Sequence, residues 1–207
     1  MIHPDTELKF ISVKKGNGVV ATKFIPKGTI TWIQDPIDQK FTKEEMLGLA
    51  PFFRELMQTY CFRDNKGNFV LCWDHGRFIN HSSESNCITT PYNFELAIRD
   101  IQAGEELTDD YGYLNLTEPL ICAPEPGTTR NIVMPDDLLR FYPEWDKKLR
   151  TAFKEFNKVP QPFKEFIDKK YAEKVKLVAA GKAEMDSILN CYYPDKNEAW
   201  KYQGKHV

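Results

Sequence analysis

Two short segments of this 207-residue chain place the strongest constraint on its fold. The first, 77–86 (RFINHSSESN), is a short apolar run that leads into the adjacent polar residues Asn80 and His81. The second, 104–113 (GEELTDDYGY), has a strand-like centre that ends in Tyr111, and the glycine after it lets the chain turn sharply and leave the phenol pointing into a pocket. Each segment ends in polar groups that need partners, so we expect one fold to bring the two endings together.

Composition and charge indicate an ordinary globular protein. With 42% hydrophobic and 13% aromatic residues, the chain can bury a sizeable core, and its length favours one domain with room for an appendage. A net charge of -2 gives no global basic field, so we expect no direct nucleic-acid binding and no membrane binding. No apolar stretch is long enough to span a bilayer, and the first residues do not resemble a signal peptide. We expect an intracellular protein, cytoplasmic or nuclear if eukaryotic.

The cysteines favour reduced thiols over a disulfide framework or a zinc site. Their number is odd, they are widely separated, and none forms a Cys-x-x-Cys pair. We therefore expect no metal site and mostly buried free thiols. The five residues are Cys61, Cys72, Cys87, Cys122 and Cys191.

The first forty residues predict short β-strands at 8–13, 19–24 and 29–33, separated by turns. Gly16 and Gly18 lie in the first turn, where a hairpin loop is the simpler interpretation. In the alternative interpretation, the two glycines let backbone groups approach a ligand closely.

A helical insert at about 42–59 interrupts the strands. Thr42 and Glu45 have the spacing of a capping box, and apolar residues recur after them at helical intervals. Pro51 lies inside this pattern and predicts two short helices or a break near Ala50. Further on, 94–99 (FELAIR) alternates apolar and polar residues and predicts a half-exposed strand.

The last part of the chain changes character. Three prolines and one glycine break any regular pattern within 118–134, which predicts a linker or a lid. Residues 135–207 have the periodicity of a helical C-terminal extension. Pro143 predicts two helices at the start of this extension. An apolar stripe favours a packing face over a binding face, with either the β-rich body or another protein as its partner. The stripe consists of Trp145, Leu149, Phe153 and Phe156.

Four segments in order carry a resemblance to a known family. They are 15–21 (KGNGVVA), 25–28 (IPKG), 77–82 (RFINHS) and 104–112 (GEELTDDYG). In order and spacing they resemble the SET-domain family of protein-lysine methyltransferases. The resemblance implies a SET-like catalytic domain over 8–117 within a mainly β fold with α additions (α+β). It implies a β-clip fold of small sheets with a knot-like crossing that brings the two motif segments into one channel.

The resemblance also implies an activity and a set of site residues. The activity is methyl transfer from S-adenosylmethionine to the side-chain amine of a lysine, so the partner is a lysine-containing protein or peptide. Tyr111 would be the catalytic residue, with its neutral hydroxyl at the methyl-transfer point, and Asp109 and Tyr113 would line the substrate channel. The residues implied in cofactor binding are Lys15, Gly16, Asn17, Gly18, Asn80, His81 and Tyr111, with His81 acting mainly through its backbone. Without the family, a hydrogen-bonded core tyrosine and a buried Asn-His pair would be the simpler interpretations.

Three departures from the family pattern leave alternatives open. Ser83 and Ser85 replace a Cys and a Pro that many members carry, and Asp109 stands where members often have Phe or Tyr. The carboxylate of Asp109 could hold a water molecule or attract the incoming ammonium, so the degree of methylation cannot be read from the sequence. The Cys-rich zinc-binding tail of many members is missing, and we expect 120–132 or the helix around 138–145 to cover the channel instead. The alternative function is a catalytically weak or inactive SET-like module that binds a peptide or the cofactor; the oligomeric state is not indicated.

Overall fold

The computed structural model describes residues 1–194 and consists of five small β-sheets with helices packed around them. The strands are β1 (Thr6–Ser12), β2 (Gly16–Ala21), β3 (Ile30–Ile33), β4 (Gln39–Phe41), β5 (Cys61–Arg63), β6 (Phe69–Leu71), β7 (Asn80–His81), β8 (Cys87–Thr89), β9 (Phe94–Ala97), β10 (Thr108–Asp109), β11 (Leu120–Ile121) and β12 (Ile132–Val133). The α-helices are α1 (Lys43–Gly48), α2 (Pro51–Tyr60), α3 (Asp137–Phe153) and α4 (Lys169–Ala179). The predicted mixed α+β fold of small sheets is confirmed.

Four of the sheets are antiparallel and one is parallel. The antiparallel sheets have the strand orders β1-β2, β3-β9-β8, β4-β6-β5 and β11-β12. Short 3-10 helices connect or follow several strands, at His75–Phe78, Tyr111–Tyr113, Phe156–Lys158, Lys164–Phe166 and Ile188–Cys191. Among the described residues, no helix has the length and apolar character needed to cross a membrane.

The parallel sheet brings the two motif segments together, as the sequence predicts. In it, β7 pairs with β10, so that Asn80 lies opposite Thr108 and His81 opposite Asp109. The backbone N–H of Ser82 extends this pairing by donating to the carbonyl of Asp109 at 2.9 Å. Two strands of only two residues each are thus enough to place the Asn-His pair beside the chain that carries the tyrosine.

Local signals in the helical insert are also confirmed. The hydroxyl of Thr42 accepts a hydrogen bond from the Glu45 N–H at 3.2 Å, and the Glu45 carboxylate accepts one from the Thr42 N–H at 2.7 Å. Pro51 is the first residue of α2, where its missing N–H costs no helical hydrogen bond. The insert is therefore two short helices with the break at the predicted place.

The larger core joins the β-rich body to the C-terminal helices. The predicted stripe on and after α3 is buried, with no more than 3% of any of its four side chains exposed. It packs against Ile30, Tyr92, Phe94 and Leu96 from the β3-β9-β8 region. The interpretation as a packing face is confirmed, and its partner is the β-rich body.

Two expectations about individual elements are wrong. The helix α3 runs without interruption through Pro143, because buried side chains on both sides of the proline hold it against the core and compensate for the lost hydrogen bond. The strand β9 is buried on both faces and not half-exposed: Phe94 and Leu96 pack against α3, while Glu95, only 6% exposed, points to the opposite side. Tertiary packing overrides the local pattern in both places.

Candidate active site

Two neighbouring cavities share Tyr111 as a wall residue. The larger is an open groove of about 710 Å³, and the smaller is a narrower cavity of about 100 Å³. Residues from α2, from the segment before β7 and from the chain after β10 line both of them. The shared residues are Gln58, Thr59, Tyr60, Arg77, Ile79, Tyr111 and Leu116. Tyr111 therefore has access to ligands from two sides.

The groove collects most of the residues implied in cofactor binding. Lys15, Gly16, Asn17 and Asn80 line it together with Tyr111. The side-chain amide of Asn80 donates to the carbonyl of Asn17 at 3.0 Å, which ties the start of β2 to the Asn-His segment. Gly16 and Gly18 thus belong to β2 and not to the predicted turn, and the structure brings the start of this strand and the Asn-His motif to one wall.

Glu106 organises this wall, and sequence reasoning assigned it no role. Its carboxylate accepts a hydrogen bond from the Asn80 amide at 2.7 Å and forms an ion pair with the Lys15 ammonium at 2.9 Å. A Cβ atom at Gly18 would lie only 2.5 Å from this carboxylate and 2.9 Å from the Asn80 nitrogen. Gly18 is therefore required by close packing beneath the groove. The only sequence signal for Glu106 is its position inside the GEEL segment.

The hydrogen bonds of Tyr111 fix both its backbone and its phenol. Its N–H donates to Nδ1 of His81 at 3.1 Å, and its hydroxyl donates to the carbonyl of Ile79 at 2.6 Å. Burial, reinforced by the charge of Asp109, raises the pKa of Tyr111 above its ordinary value, so the phenol is neutral. Because the hydroxyl proton is directed at Ile79, the oxygen lone pairs are available to accept a hydrogen bond from a ligand.

His81 supports the site from behind and lines neither cavity. Burial lowers the pKa of its imidazole, and Nδ1 of the ring accepts a hydrogen bond from the Tyr111 N–H. The neutral ring therefore carries its own proton on Nε2. Its role is to hold the chain at Tyr111.

The smaller cavity has aromatic walls and an acidic end. Trp32, Tyr60 and Phe62 line it beside Tyr111, with the Trp32 and Phe62 rings in an edge-on contact 5.8 Å apart. Glu95 and Asp109 also line it, and both are buried. A small aromatic-walled cavity with carboxyl groups in its lining is suited to a long side chain with a cationic tip.

The two carboxyl groups interact directly with each other. They share a hydrogen bond, and burial raises the pKa of Asp109 to about 6 and that of Glu95 well above its ordinary value, so the pair retains a proton near neutral pH. The Tyr113 hydroxyl lies 2.9 Å from Oδ1 of Asp109. Tyr113 lines neither of the two cavities, and so the structure places it behind Asp109, outside the cavity wall. Glu95 was missed because the FELAIR alternation places it on a solvent-facing side.

An arginine holds the segment after the motif. Arg130 forms ion pairs of 2.5 Å with both Asp110 and Asp137, and its guanidinium lies 4.8 Å from the centre of the Phe141 ring. Glu125 from the same loop accepts hydrogen bonds from the Ser82 hydroxyl and from the Ser83 N–H. No cluster of three potential metal-ligating side chains occurs within residues 1–194. Ion pairs and hydrogen bonds attach this loop beside Tyr111.

Comparison with known proteins identifies the domain that contains both cavities. Residues 16–112 match the family model described as the SET domain. This chain contains a SET domain. The recognition of this family of lysine methyltransferases from the four motif segments is confirmed. Of the residues assigned to the site, Lys15 and Tyr113 lie just outside the matched range.

Curated relatives align with about half of the SET-domain chain. N-lysine methyltransferase KMT5A-A of Danio rerio is 35% identical over 116 residues, which are 47% of this chain and 33% of that protein. N-lysine methyltransferase KMT5A-B of Xenopus laevis is 32% identical over 118 residues, 48% of this chain and 34% of that protein. Histone-lysine N-methyltransferase Set2 of Drosophila melanogaster is 31% identical over 119 residues, 51% of this chain and 5% of that protein. The chain thus spans about a third of the length of its KMT5A relatives.

Among solved structures, the protein PFL0690c of Plasmodium falciparum matches with a TM-score of 0.39 at 22% identity. The match covers 53% of this chain and 95% of that chain.

Proposed function

We propose that this chain is an S-adenosylmethionine-dependent methyltransferase that acts on the side-chain amine of a lysine in a protein or peptide. The observation that carries the proposal is the junction of the two cavities at Tyr111. A methyl donor in the groove and an amine in the aromatic-walled cavity would both lie beside Tyr111. Such an arrangement aligns donor and acceptor for in-line transfer, which is the main requirement of the reaction.

The groove has the groups that the methionine end of the cofactor requires. Lys15 and the backbone at the start of β2 are suited to its carboxylate, and the side-chain oxygen of Asn80 is suited to its ammonium. The absence of a Cβ at Gly18 lets β2 lie directly on Asn80 and Glu106. We propose that these residues, with Tyr111 and the backbone of His81, form the cofactor site.

The bound sulfonium supplies a methyl carbon that its own positive charge already activates. The protein must present a neutral amine in line with it. A lysine amine has a reference pKa of about 10.4, so the neutral form costs roughly 4.6 kcal/mol at pH 7. Burial of the amine and the positive charge of the neighbouring sulfonium disfavour the charged form and reduce this cost. The phenol of Tyr111, held by Ile79, accepts an N–H from the amine and directs the nitrogen lone pair at the methyl carbon.

The same proposal divides the chain into functional parts. Residues 8–117 form the catalytic domain, 118–134 a lid, and 135–207 a helical extension, of which 195–207 lie outside the described residues. Leu120 on the groove wall and the attachment of the loop through Arg130 support the lid. The extension also completes the core of the catalytic domain, since α3 packs on β9.

A SET-like module that binds without turnover is the second candidate. Asp109 favours it, because a carboxyl group stands where many SET domains carry an aromatic ring. Ser83 and Ser85 add two further departures.

Transfer of labelled methyl groups separates the two candidates. The wild-type chain, Tyr111→Phe and the control Tyr142→Phe are incubated with labelled S-adenosylmethionine and a protein lysate, and lysine methylation is read by mass spectrometry. Tyr142 is a half-buried tyrosine on α3, away from both cavities. We expect transfer by the wild type and the control, and a loss of about 100-fold or more in Tyr111→Phe, the size of effect typical of a lost orienting group.

Equal transfer by all three proteins would remove Tyr111 from the mechanism. Cofactor binding without transfer to any lysine would establish the binding module instead.

A further inference from the structure

We infer that Glu95 and Asp109 form an ammonium-binding site at the end of the smaller cavity, and that Asp109 accepts the proton that the substrate amine loses before methyl transfer. This inference rests on the proposed function. It adds Glu95 to the site and identifies Asp109 as the acceptor of the proton that the substrate amine loses.

The first support is the position of the carboxyl pair in the cavity wall. Glu95 and Asp109 both line the cavity and are buried, and no nitrogen or hydroxyl donor among residues 1–194 bonds Oε2 of Glu95. Buried polar atoms are normally hydrogen-bonded, so an incompletely satisfied carboxyl group on a cavity wall is suited to a bound donor. The indole Nε1 of Trp32 is a second unpartnered atom on the same wall. As a donor, it is suited to a water molecule beside the bound amine.

The second support is the charge of the pair. Two carboxyl groups that share one proton carry a single negative charge in a buried place. Arg77 is the cation on the cavity wall, but its guanidinium donates to the backbone carbonyls of 72–74. A buried charge needs a partner of opposite sign, and an alkylammonium that enters between aromatic walls provides one.

The two carboxyl groups also supply hydrogen-bond acceptors for the N–H groups of the substrate amine. Glu95 keeps its proton in the hydrogen bond to Asp109 and offers a carboxyl oxygen to one N–H, while the ionised Asp109 attracts the cation. Tyr113, whose hydroxyl is 2.9 Å from Asp109, fixes this carboxylate in place. Other charged or titratable groups whose charge or pKa is linked to the pair are the Met1 ammonium, Cys72, Cys87, Asp110 and Tyr111.

The proton lost by the amine therefore stays within the site during methyl transfer. The bound R–NH₃⁺ gives one proton to the Asp109 carboxylate and becomes R–NH₂. The nitrogen lone pair forms the new N–CH₃ bond, the C–S bond breaks, and its electron pair stays on the sulfur of the donor as a neutral thioether. The product is a secondary ammonium, R–NH₂⁺–CH₃, and Asp109 returns its proton to solvent when the product leaves.

The test uses a small probe that contains only the tip of a lysine. Binding of n-butylammonium and of the uncharged n-butanol is measured by titration calorimetry at pH 7.5 without the methyl donor. The proteins are the wild type, the isosteric Glu95→Gln/Asp109→Asn double variant and the single Asp109→Asn variant. The control is Glu84→Gln/Glu173→Gln, which neutralises two exposed carboxylates.

We expect the wild type and the control to bind n-butylammonium at least tenfold more tightly than n-butanol. In the double variant this preference is lost, a decrease of about 10- to 100-fold that matches the usual strength of charge-assisted hydrogen bonds. Asp109→Asn alone shows the same loss, so the result does not depend on one variant. Equal binding of the two probes by the wild type, or an unchanged preference in both variants, would overturn the site and leave a cavity that holds water only.

Cofactor binding and label transfer measured on the same samples keep the two proposals apart. Preferential binding of n-butylammonium without any transfer would reject the methyltransferase and retain the ammonium site. Transfer by a wild type that does not prefer the ammonium would retain the methyltransferase and reject the role of the carboxyl pair.

Discussion

Arg130→Met removes the cation that holds the loop after the motif to the rest of the site. The guanidinium pairs with Asp110 and Asp137 at 2.5 Å, and both carboxylates are only 3% exposed. Methionine retains most of the side-chain volume but leaves two buried carboxylates without their cation. Removing one partner of a buried ion pair costs about 3–5 kcal/mol. Because the backbone N–H groups of Gly112 and Met134 still donate to these carboxylates, we expect the lower end, about 3 kcal/mol.

The expected loss is large enough for a thermal unfolding experiment. For a protein of this size, 1 kcal/mol corresponds to about 2–4 °C, so Arg130→Met should unfold about 6–12 °C below the wild type. Arg140→Met is the matched control, because Arg140 pairs with Asp136 at 2.8 Å in a largely exposed position on α3. Exposed pairs contribute at most about 1 kcal/mol, which limits the control to a few degrees. Equal melting temperatures for the two variants would refute the view that Arg130 anchors this loop.

Two further predictions concern the groove and the carboxyl pair. Gly18→Ala places a Cβ 2.5 Å from Glu106 and 2.9 Å from Asn80, so we expect S-adenosylmethionine to bind at least tenfold more weakly in calorimetry. The same change at Gly48, which has no atom within 4 Å of the added carbon, should leave binding unchanged, and equal affinities for both variants would contradict the argument. The pKa of Asp109 rises from 3.8 to about 6 on folding, so the folded state binds more protons and stability falls as the pH rises through this window. Urea unfolding from pH 4 to 7 should show the wild type losing about 2–3 kcal/mol relative to Asp109→Asn, whereas parallel pH curves would exclude a raised pKa.

The features that the sequence predicts correctly depend on neighbouring residues or on complete motifs. The hydrogen bonds of the capping box join Thr42 and Glu45, which are only three residues apart. Pro51 begins a helix because its missing N–H is not needed at the first helical position. The meeting of Asn80 with the segment before Tyr111 follows from the family pattern, although only two residue pairs form the sheet.

The features that the sequence does not reveal depend on distant packing. Glu95 follows a regular alternation, and only the placement of α3 on one face of β9 and of Asp109 beside the other makes it a buried residue. Pro143 is a helix breaker in isolation, yet the core holds α3 continuous around it. Arg130 lies in a proline-rich loop where a charged residue normally faces solvent, and its two partners come from separate parts of the chain.

The shared core has a consequence for the synthesis of this protein. Gln161 accepts a hydrogen bond from the Ile30 N–H at 3.0 Å and donates one to the Gly28 carbonyl at 2.7 Å, across more than 130 residues of chain. Phe94 on β9 similarly packs against Phe156, so this face of the sheet stays uncovered until Phe156 has been synthesised. At about 5–20 residues per second, a ribosome needs roughly 3–12 s to add the residues between Phe94 and Phe156. The nascent chain therefore contains both motif segments for several seconds before the helices that hold them in place have been made.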